Sequence, residues 1–261
     1  MPLIRFRDVE KTFRKGQISY SAVRDFSLDI EEGEFFCLLG PSGCGKTTVL
    51  NLLAGFELPT LGTIEVNGVA VTRPARDRSV VFQGDDSLYG WLTASENVEF
   101  GPRLRGVSAS QRRALAAQYL ELVGLRHQDG KRPHELSGGM KQRIQIARVL
   151  INEPRVLLMD EPFGALDAQT RRVLQNELLN IWRKTGKTVL FITHDIDEAI
   201  RLGSRVGIME AGPGSRLKTV VSIDASAKQG RTSMDYLKHY EVIQGHIEEE
   251  VNKTLLRETE E

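Results

Sequence analysis

Hydrophobic and polar residues alternate along the front of the chain, as in β-strands that are buried on one face only. Residues Leu3–Val9 and Phe26–Ile30 show this alternation, which predicts two strands. Two more short strands, Thr63–Val66 and Val69–Val71, are predicted on either side of Asn67-Gly68, a dipeptide that strongly favours a hairpin turn. The front of the chain is therefore predicted to form an antiparallel β layer.

Farther along, apolar residues run without alternation, a pattern typical of strands that are covered on both faces in a parallel sheet. A helix is predicted over Thr47–Ala54, with Gly55 as its C-terminal cap. Another is predicted over Ala168–Lys184, because Asp167 is a suitable N-cap and Gly186 follows the last turn. The predicted fold class is α/β with a mainly parallel sheet. Its predicted strands are Phe35–Leu39, Val80–Phe82, Val156–Met159, Val189–Ile192 and Val206–Met209.

The strand pattern disappears between Gln83 and His134, where Ala109–Val123 has helical periodicity. We therefore expect one domain over residues 1–261, with a helical subdomain inserted at about 84–135. The tail, about 215–261, is also predicted to be helical and to pack on its own domain rather than on a partner. Its apolar stripe from Ser233 onward consists of Tyr236, Tyr240, Ile243, Ile247 and Val251.

Composition narrows the function classes. The 35 lysine and arginine residues balance 35 acidic residues, so the basic excess of a typical nucleic-acid-binding protein is missing, and we expect no nucleic-acid partner. No apolar run approaches the roughly 20 residues of a membrane-spanning helix. The charged start, Met1–Arg7, does not resemble a signal peptide. We expect a protein that stays in the cytoplasm and reaches any membrane through a partner.

The two cysteines do not suggest a disulfide framework, given that they are so few. Cys37 lies in an apolar run and is predicted to pack in the core. Cys44 lies in a glycine-rich loop, where we expect its thiol to be exposed and modification by a thiol reagent to block ligand binding.

A phosphate-binding loop is predicted after the first buried strand, because the sequence from Gly40 to Thr47 matches the pattern G-x-x-x-x-G-K-[ST]. Its glycines let backbone N–H groups turn inward, and the following helix adds partial positive charge. The Lys46 ammonium can reach the β- and γ-phosphates, and the Thr47 hydroxyl can bind Mg²⁺. The predicted nucleotide-binding residues of this loop are Gly40, Pro41, Ser42, Gly43, Cys44, Gly45, Lys46, Thr47 and Thr48.

Two carboxylates follow the apolar run Val156–Met159. The carboxyl ends of parallel strands meet at the ligand-binding edge of an open α/β sheet. Asp160 is therefore predicted to support Mg²⁺, and Glu161 is a candidate general base for an attacking water. An apolar run that ends in Asp-Glu is, by itself, weak evidence for a nucleotide-hydrolysing site.

A second anion-binding helix start is predicted at Ser137-Gly138-Gly139, which precedes a helix containing Gln142. One nucleotide needs only one such site. The second site could therefore serve another molecule.

At this point the chain resembles the ABC ATPases, because Leu136–Gly139 is similar to their signature motif and the family's other markers occur in order. Phe13 resembles the aromatic residue that stacks on adenine, although an aromatic residue there is also compatible with core packing. Gln83 resembles the Q-loop glutamine that contacts Mg²⁺ and water. Asp167, in Ala165-Leu166-Asp167, resembles the D-loop aspartate, and His194 resembles the switch histidine that contacts the γ-phosphate.

The resemblance implies a P-loop NTPase core that hydrolyses ATP with Mg²⁺ as a head-to-tail homodimer. Each ATP would lie between the loop of one chain and Ser137, Gly138, Gly139 and Gln142 of the other. The helical insertion would contact separate transmembrane permease subunits, and an extracytoplasmic solute-binding protein would deliver the solute. The chain would thus be peripheral, on the cytoplasmic face of the inner membrane. Where family members often have Leu-Pro-Trp, this chain has Leu88-Tyr89-Gly90-Trp91.

Within the family, the residues of the motifs and the segment Ala211–Gly214 resemble those of the ATPases of nitrate, taurine and aliphatic-sulfonate importers. Importers of other small solutes remain an alternative, since the ATPase does not need to contact the cargo. ABC proteins that act on DNA or ribosomes usually have long coiled coils, two ATPase domains or basic surfaces, which this sequence lacks. The signature and His194 disfavour a small-molecule phosphotransferase. The presence of Glu161 and His194 gives no basis for an inactive regulatory ATPase.

Overall fold

A computed structural model describes residues 1–16, 18–82, 87–164 and 166–258. The chain divides into two compact units. The first unit combines Met1–Ala75 with Thr188–Glu261, and the second comprises Arg76–Lys187. No helix in the described ranges is both long and apolar enough to cross a membrane.

The front of the first unit is an antiparallel sheet, as predicted. Its strands are β1 (Ile4–Lys15), β2 (Ile18–Ile30), β4 (Leu61–Val66) and β5 (Val69–Ala70), in the order β2-β1-β4-β5. Strands β1 and β2 extend beyond their alternating segments, because the β1–β2 pairing shifts register after Phe6 and after Val9. Asp8 and Asp25, at these irregularities, have φ angles of 46° and 47°. Such bulges interrupt the period-two pattern, which explains why alternation underestimated the strand lengths.

A second sheet in the first unit contains the fully buried strand β3 (Phe35–Leu39) between two parallel neighbours, β8 (Thr188–Ile192) and β9 (Arg205–Met209). Continuous apolar runs predicted all three strands, and the rings of Phe35 and Phe191 pack with their centroids 5.7 Å apart. The helices of this unit are α1 (Lys46–Ala54), α6 (Ile196–Leu202) and α7 (Met234–Glu258), and a 3₁₀ turn spans Ala225–Gln229.

The prediction of a helical tail from residue 215 is wrong at its beginning. Leu217–Ser222 forms strand β10, which pairs antiparallel with β9 at the sheet edge. This half-exposed segment contains the β-branched residues Thr219, Val220 and Val221, which favour a strand. The apolar stripe that begins near Ser233 belongs to α7 alone.

The second unit pairs two parallel strands, β6 (Arg78–Val81) and β7 (Val156–Asp160), and contains four helices in its described part. Helices α2 and α3 lie in the segment that was predicted to be a helical insertion. A helix-capping pair of reciprocal hydrogen bonds between Thr93 and Glu96 begins α2. The four helices are α2 (Ala94–Leu104), α3 (Ala109–Leu122), α4 (Gly138–Leu150) and α5 (Ala168–Thr185), and a 3₁₀ turn spans Pro133–Glu135.

The segment Leu88–Trp91, where family members often have Leu-Pro-Trp, is held in this unit by contacts of Tyr89. The fully buried Asn97 side chain accepts a hydrogen bond from the Tyr89 N–H at 2.9 Å and donates to the Tyr89 carbonyl at 3.2 Å. The Tyr89 ring lies 4.5 Å from that of Phe100, centroid to centroid. The turn is thereby fixed on α2, and Trp91 beside it is 73% exposed.

Candidate functional site

The predicted phosphate loop lies between strand β3 and helix α1, in the first unit. Gly43 and Gly45 have φ angles of 78° and 90°, a region that side chains disfavour and glycine tolerates. At Gly45 a side chain is also excluded by space, because a Cβ would lie 2.7 Å from the Ala22 carbonyl oxygen. The loop therefore depends on its glycines for its shape.

Lys46 occupies the first turn of α1, and its ammonium is directed back into the loop. The Nζ atom donates to the carbonyl oxygens of Gly40 and Pro41, both at 2.8 Å, and the residue is only 7% exposed. A buried ammonium is costly unless its hydrogen bonds are satisfied. Carbonyl oxygens satisfy it here, and the phosphate oxygens of a ligand would be stronger partners.

The expectation of an exposed Cys44 thiol is wrong. Cys44 is fully buried, and burial raises the pKa of its thiol although Lys46 acts in the opposite direction. The reason is close packing inside the loop, since a Cβ on Gly40 would lie 2.7 Å from the Cys44 Sγ. Cys37 is buried as predicted, and burial raises its pKa as well. Neither thiol is expected to react quickly in the folded protein.

His194 follows strand β8 in the same unit and is exposed. The residues that fix its turn were not predicted from the sequence. Thr193 donates from its hydroxyl to Glu198 Oε2 at 2.6 Å, and Asp195 accepts from the Glu198 N–H at 3.1 Å as the N-cap of α6. The spacing of Asp195 and Glu198 is a capping pattern that could have revealed this support.

Phe13 lies on β1, opposite Tyr20 on β2. Its side chain is 37% exposed, so it is not an ordinary core residue. The Lys11 Nζ lies 4.8 Å from the centroid of the Phe13 ring. Part of the ring is therefore accessible to a planar ligand.

The two predicted carboxylates lie in the second unit. Asp160 is the last residue of β7, and Glu161 begins the turn that follows. Glu161 has a φ angle of 42°, which is uncommon for a residue with a side chain and often marks a functional position.

Helix α4, also in the second unit, begins at the predicted signature. Ser137 is its N-cap and accepts a hydrogen bond from the Met140 N–H at 3.3 Å. Gly139 packs closely against α5, because a Cβ there would lie 3.0 Å from Thr170 Cγ2. Ser137 itself is exposed. Its oxygen accepts from the helix, and a hydroxyl that accepts can still donate its hydrogen to another group.

The other predicted residues of the second unit differ in accessibility. Gln142 is 3% exposed, which places its side chain inside this unit rather than at a surface that a second chain could reach. Asp167 is exposed and caps α5, accepting from the N–H groups of Gln169 and Thr170 at 3.0 Å. These hydrogen bonds, foremost that from Thr170, lower the pKa of Asp167. Gln83 lies outside the described residues.

A magnesium site was predicted from Thr47, Gln83 and Asp160. Thr47 is exposed at the first turn of α1. The described residues contain no cluster of three or more His, Cys, Asp or Glu side chains that could hold a metal ion. Mg²⁺ in nucleotide sites is usually held by one or two protein ligands with phosphates and water, and the Thr47 hydroxyl and the Asp160 carboxylate are oxygen donors of the kind that this ion prefers.

Comparisons with known proteins agree with these features. The sequence profile of the ABC transporter family matches residues 23–164. A taurine import ATP-binding protein of Jannaschia sp. is 50% identical over 196 residues, which are 75% of this chain and 73% of that protein. A nitrate import ATP-binding protein of Synechococcus elongatus is 47% identical over 222 residues, 84% of this chain and 81% of that protein.

Among solved structures, a dimeric ATP-binding cassette in a post-hydrolysis state, bound to ADP and Pi, matches with a TM-score of 0.73 and 32% identity. The match covers 85% of this chain and 99% of that one. The predicted P-loop α/β fold, with its antiparallel sheet and helices, is therefore confirmed. The chain belongs to the ABC transporter family, among its ATP-binding proteins.

Proposed function

We propose that this chain is the ATP-hydrolysing subunit of an ABC importer for a small solute. The observation that carries the proposal is the buried Lys46 ammonium at the start of α1, which only backbone carbonyls and the Cys44 sulfur contact among the described residues. A triphosphate is the ligand that best matches a buried cation and a helix N-terminus without a side-chain cap together.

Each predicted residue then has a definite task. The loop Gly40–Thr48 binds the phosphates, and Phe13 stacks on adenine. Glu161 accepts a proton from the attacking water, and His194 contacts the γ-phosphate. Mg²⁺, which neutralises developing charge on the phosphates when bound, would be held by Thr47, Gln83 and Asp160.

A second copy of the chain completes the site in this proposal. The exposed hydroxyl of Ser137, with the backbone of Gly138 and Gly139, would meet the γ-phosphate of the ATP held by the partner. Asp167, exposed at the start of α5, would link the two sites. The dimeric cassette bound to ADP and Pi supports such an assembly. The burial of Gln142 does not support a direct contact with the partner's nucleotide, and we assign it to the packing of α4.

The energy of ATP binding would be transmitted through permease subunits in the membrane, on whose cytoplasmic face this chain would be peripheral. The names of the taurine and nitrate import relatives support an importer whose cargo is nitrate, taurine or a sulfonate other than taurine. By resemblance to the family, a solute-binding protein outside the membrane would deliver the cargo. Reconstitution with the permease and binding protein tests the cargo. Stimulation of ATP hydrolysis by taurine or nitrate supports the assignment, and stimulation by an unrelated solute alone refutes it.

Release of phosphate from Mg-ATP by the purified chain tests the ATPase itself. In Glu161→Gln the rate should fall by about 10²- to 10⁴-fold, the usual contribution of a general base, while ATP affinity is retained. Glu153→Gln is a matched control, because Glu153 is exposed in the same unit and has a φ angle of 54°. An undiminished rate in Glu161→Gln would remove Glu161 from the chemistry.

A further inference from the structure

The turn between β9 and β10, residues 210–216, contacts the phosphate loop from the side of the C-terminal tail. The Ser215 hydroxyl donates a hydrogen bond to the carbonyl oxygen of Cys44, inside the loop. Ser215 is 2% exposed and lies 171 residues from Cys44 along the chain. A side chain so deeply buried, with its donor directed at a loop carbonyl, has little freedom to make another contact.

The backbone of this turn is fixed on β2, so the hydroxyl is held in place. The Arg24 N–H donates to the Ser215 carbonyl at 3.1 Å, and the Gly214 N–H donates to the Ser21 carbonyl at 2.6 Å. The same stretch of β2 supports the loop, because a Cβ on Gly45 would lie 3.0 Å from Val23 Cγ2. Ser215 and β2 thus hold the loop at adjacent points.

The other end of the turn is fixed by helix α7. The Glu250 carboxylate accepts from the Ala211 N–H at 3.0 Å and pairs with Lys218 at 2.8 Å and Lys253 at 2.6 Å. Glu250 is 1% exposed. Burial alone would raise the pKa of Glu250, but these hydrogen bonds outweigh it and lower the pKa to about 2. The carboxylate therefore stays charged at neutral pH and keeps its hydrogen bond from the Ala211 N–H, which holds this end of the turn on α7.

The orientation of one peptide plane connects these contacts to ligand binding. A trans peptide is planar, so the C=O of Cys44 and the N–H of Gly45 point in opposite directions. Holding the Cys44 carbonyl toward Ser215 therefore directs the Gly45 N–H away from Ser215. In a phosphate-binding loop, the N–H groups have to face the anion.

We infer that Ser215 is a positioning residue for ATP binding, which fixes the Cys44–Gly45 peptide of the phosphate loop and is itself held by α7 through Glu250. The inference rests on the proposed nucleotide site, which it deepens. It gives the C-terminal helix a role in nucleotide binding, and it predicts that the loop opens more often when the Ser215 hydroxyl is removed.

The two cysteines provide a local measurement of that opening. Cys44 lies in the loop and Cys37 in the core of β3, and both are buried. Alkylation of the nucleotide-free protein by iodoacetamide, followed by mass spectrometry of the two cysteine peptides, gives both rates in one molecule. Ser215→Ala should raise the Cys44 rate about fivefold, the typical effect of one hydrogen bond, and leave the Cys37 rate unchanged. Ser222→Ala, an exposed serine of the same hairpin, is the matched control and should change neither.

The affinity for ATP is the second readout, and Ser215→Ala should raise the Kd about fivefold. An unchanged alkylation rate of Cys44 in Ser215→Ala would overturn the inference. An equal increase in the rates of Cys37 and Cys44 would also overturn it, because it would show general destabilisation of the fold. Glu250→Gln should also raise the Cys44 rate selectively, and no change there would overturn the role of α7. If the unmodified chain bound no ATP, the proposed function would fail, whereas the alkylation rates would still decide whether Ser215 holds the loop.

Discussion

Two helices of this chain begin at glycine-containing motifs, yet their first turns are built differently. Helix α1 begins after Gly45 in a left-handed conformation, and no described side chain caps it. Helix α4 begins after Ser137, whose oxygen accepts from the Met140 N–H. The first helix has amides without a side-chain cap and the Lys46 ammonium beside them, whereas the second has one exposed hydroxyl, that of Ser137.

This difference indicates how tightly each helix can hold an anion. Uncapped N–H groups with a buried ammonium give several charge-assisted hydrogen bonds. A self-capped helix start with one neutral hydroxyl gives a weaker contact. We therefore expect α1 to determine the affinity of a chain for its own ATP, and α4 to contribute only when a partner's nucleotide is brought to it.

The largest effect is expected for Lys46→Ala, which tests the contribution of α1 to the affinity for ATP. Losing hydrogen bonds from an ammonium to phosphates, at about 1.5–3 kcal/mol each, should raise the Kd for ATP at least about 100-fold. Lys184→Ala, an exposed lysine of α5, should leave the Kd unchanged. Fluorescence titration with a labelled ATP measures both, and an unaltered affinity in Lys46→Ala would show that α1 is not the dominant site.

Phe13→Ala tests the contact with the adenine base of the same nucleotide, and a smaller change in Kd is expected. Stacking of a base on an aromatic ring contributes about 1–3 kcal/mol, so we expect the Kd to rise about tenfold, with Phe13→Tyr close to the unmodified chain. Phe56→Ala removes another exposed phenylalanine of the first unit and should have no effect on ATP. Equal affinities in Phe13→Ala and Phe56→Ala would count against adenine stacking on Phe13.

Ser137→Ala tests the contribution of α4 to nucleotide-dependent dimer formation and should have the smallest effect of the three substitutions. Ser108 caps α3 as Ser137 caps α4, so Ser108→Ala is a matched control. Each substitution should destabilise the fold by about 1 kcal/mol, the usual value of a serine cap, and lower the Tm similarly. Only Ser137→Ala should raise the ATP concentration required for dimer formation, by about fivefold. A similar increase in Ser108→Ala would reduce Ser137 to a structural cap.

The fold could be predicted from the sequence where one local pattern determined an element. The buried runs Phe35–Leu39 and Val189–Ile192 gave strands almost residue for residue, and the caps Gly55 and Asp167 were confirmed. Strand β10 was missed because an edge strand is half exposed and lacks a clear apolar pattern. The bulges at Asp8 and Asp25 shortened the predicted β1 and β2, since alternation stops where the register shifts.

The candidate site, like the fold, contains features that a local motif predicts and features that depend on residues far apart in the chain. The motif at Gly40–Thr47 predicted its own strand, loop and helix, because its chemistry and geometry are contiguous in sequence. The burial of Cys44 and its bond to Ser215 depend on residues far apart in the chain, for which the sequence contains no local signal. The same limit applies to Gln142, whose burial was not evident from its position in the motif.

The central claim is that ATP joins two copies of this chain, and size-exclusion chromatography with light scattering on Glu161→Gln tests it most directly. We predict a monomer without nucleotide and a dimer with Mg-ATP, because the variant should bind ATP and hardly hydrolyse it. A chain that stays monomeric with ATP bound would contradict the claim that the nucleotide closes the dimer through Ser137.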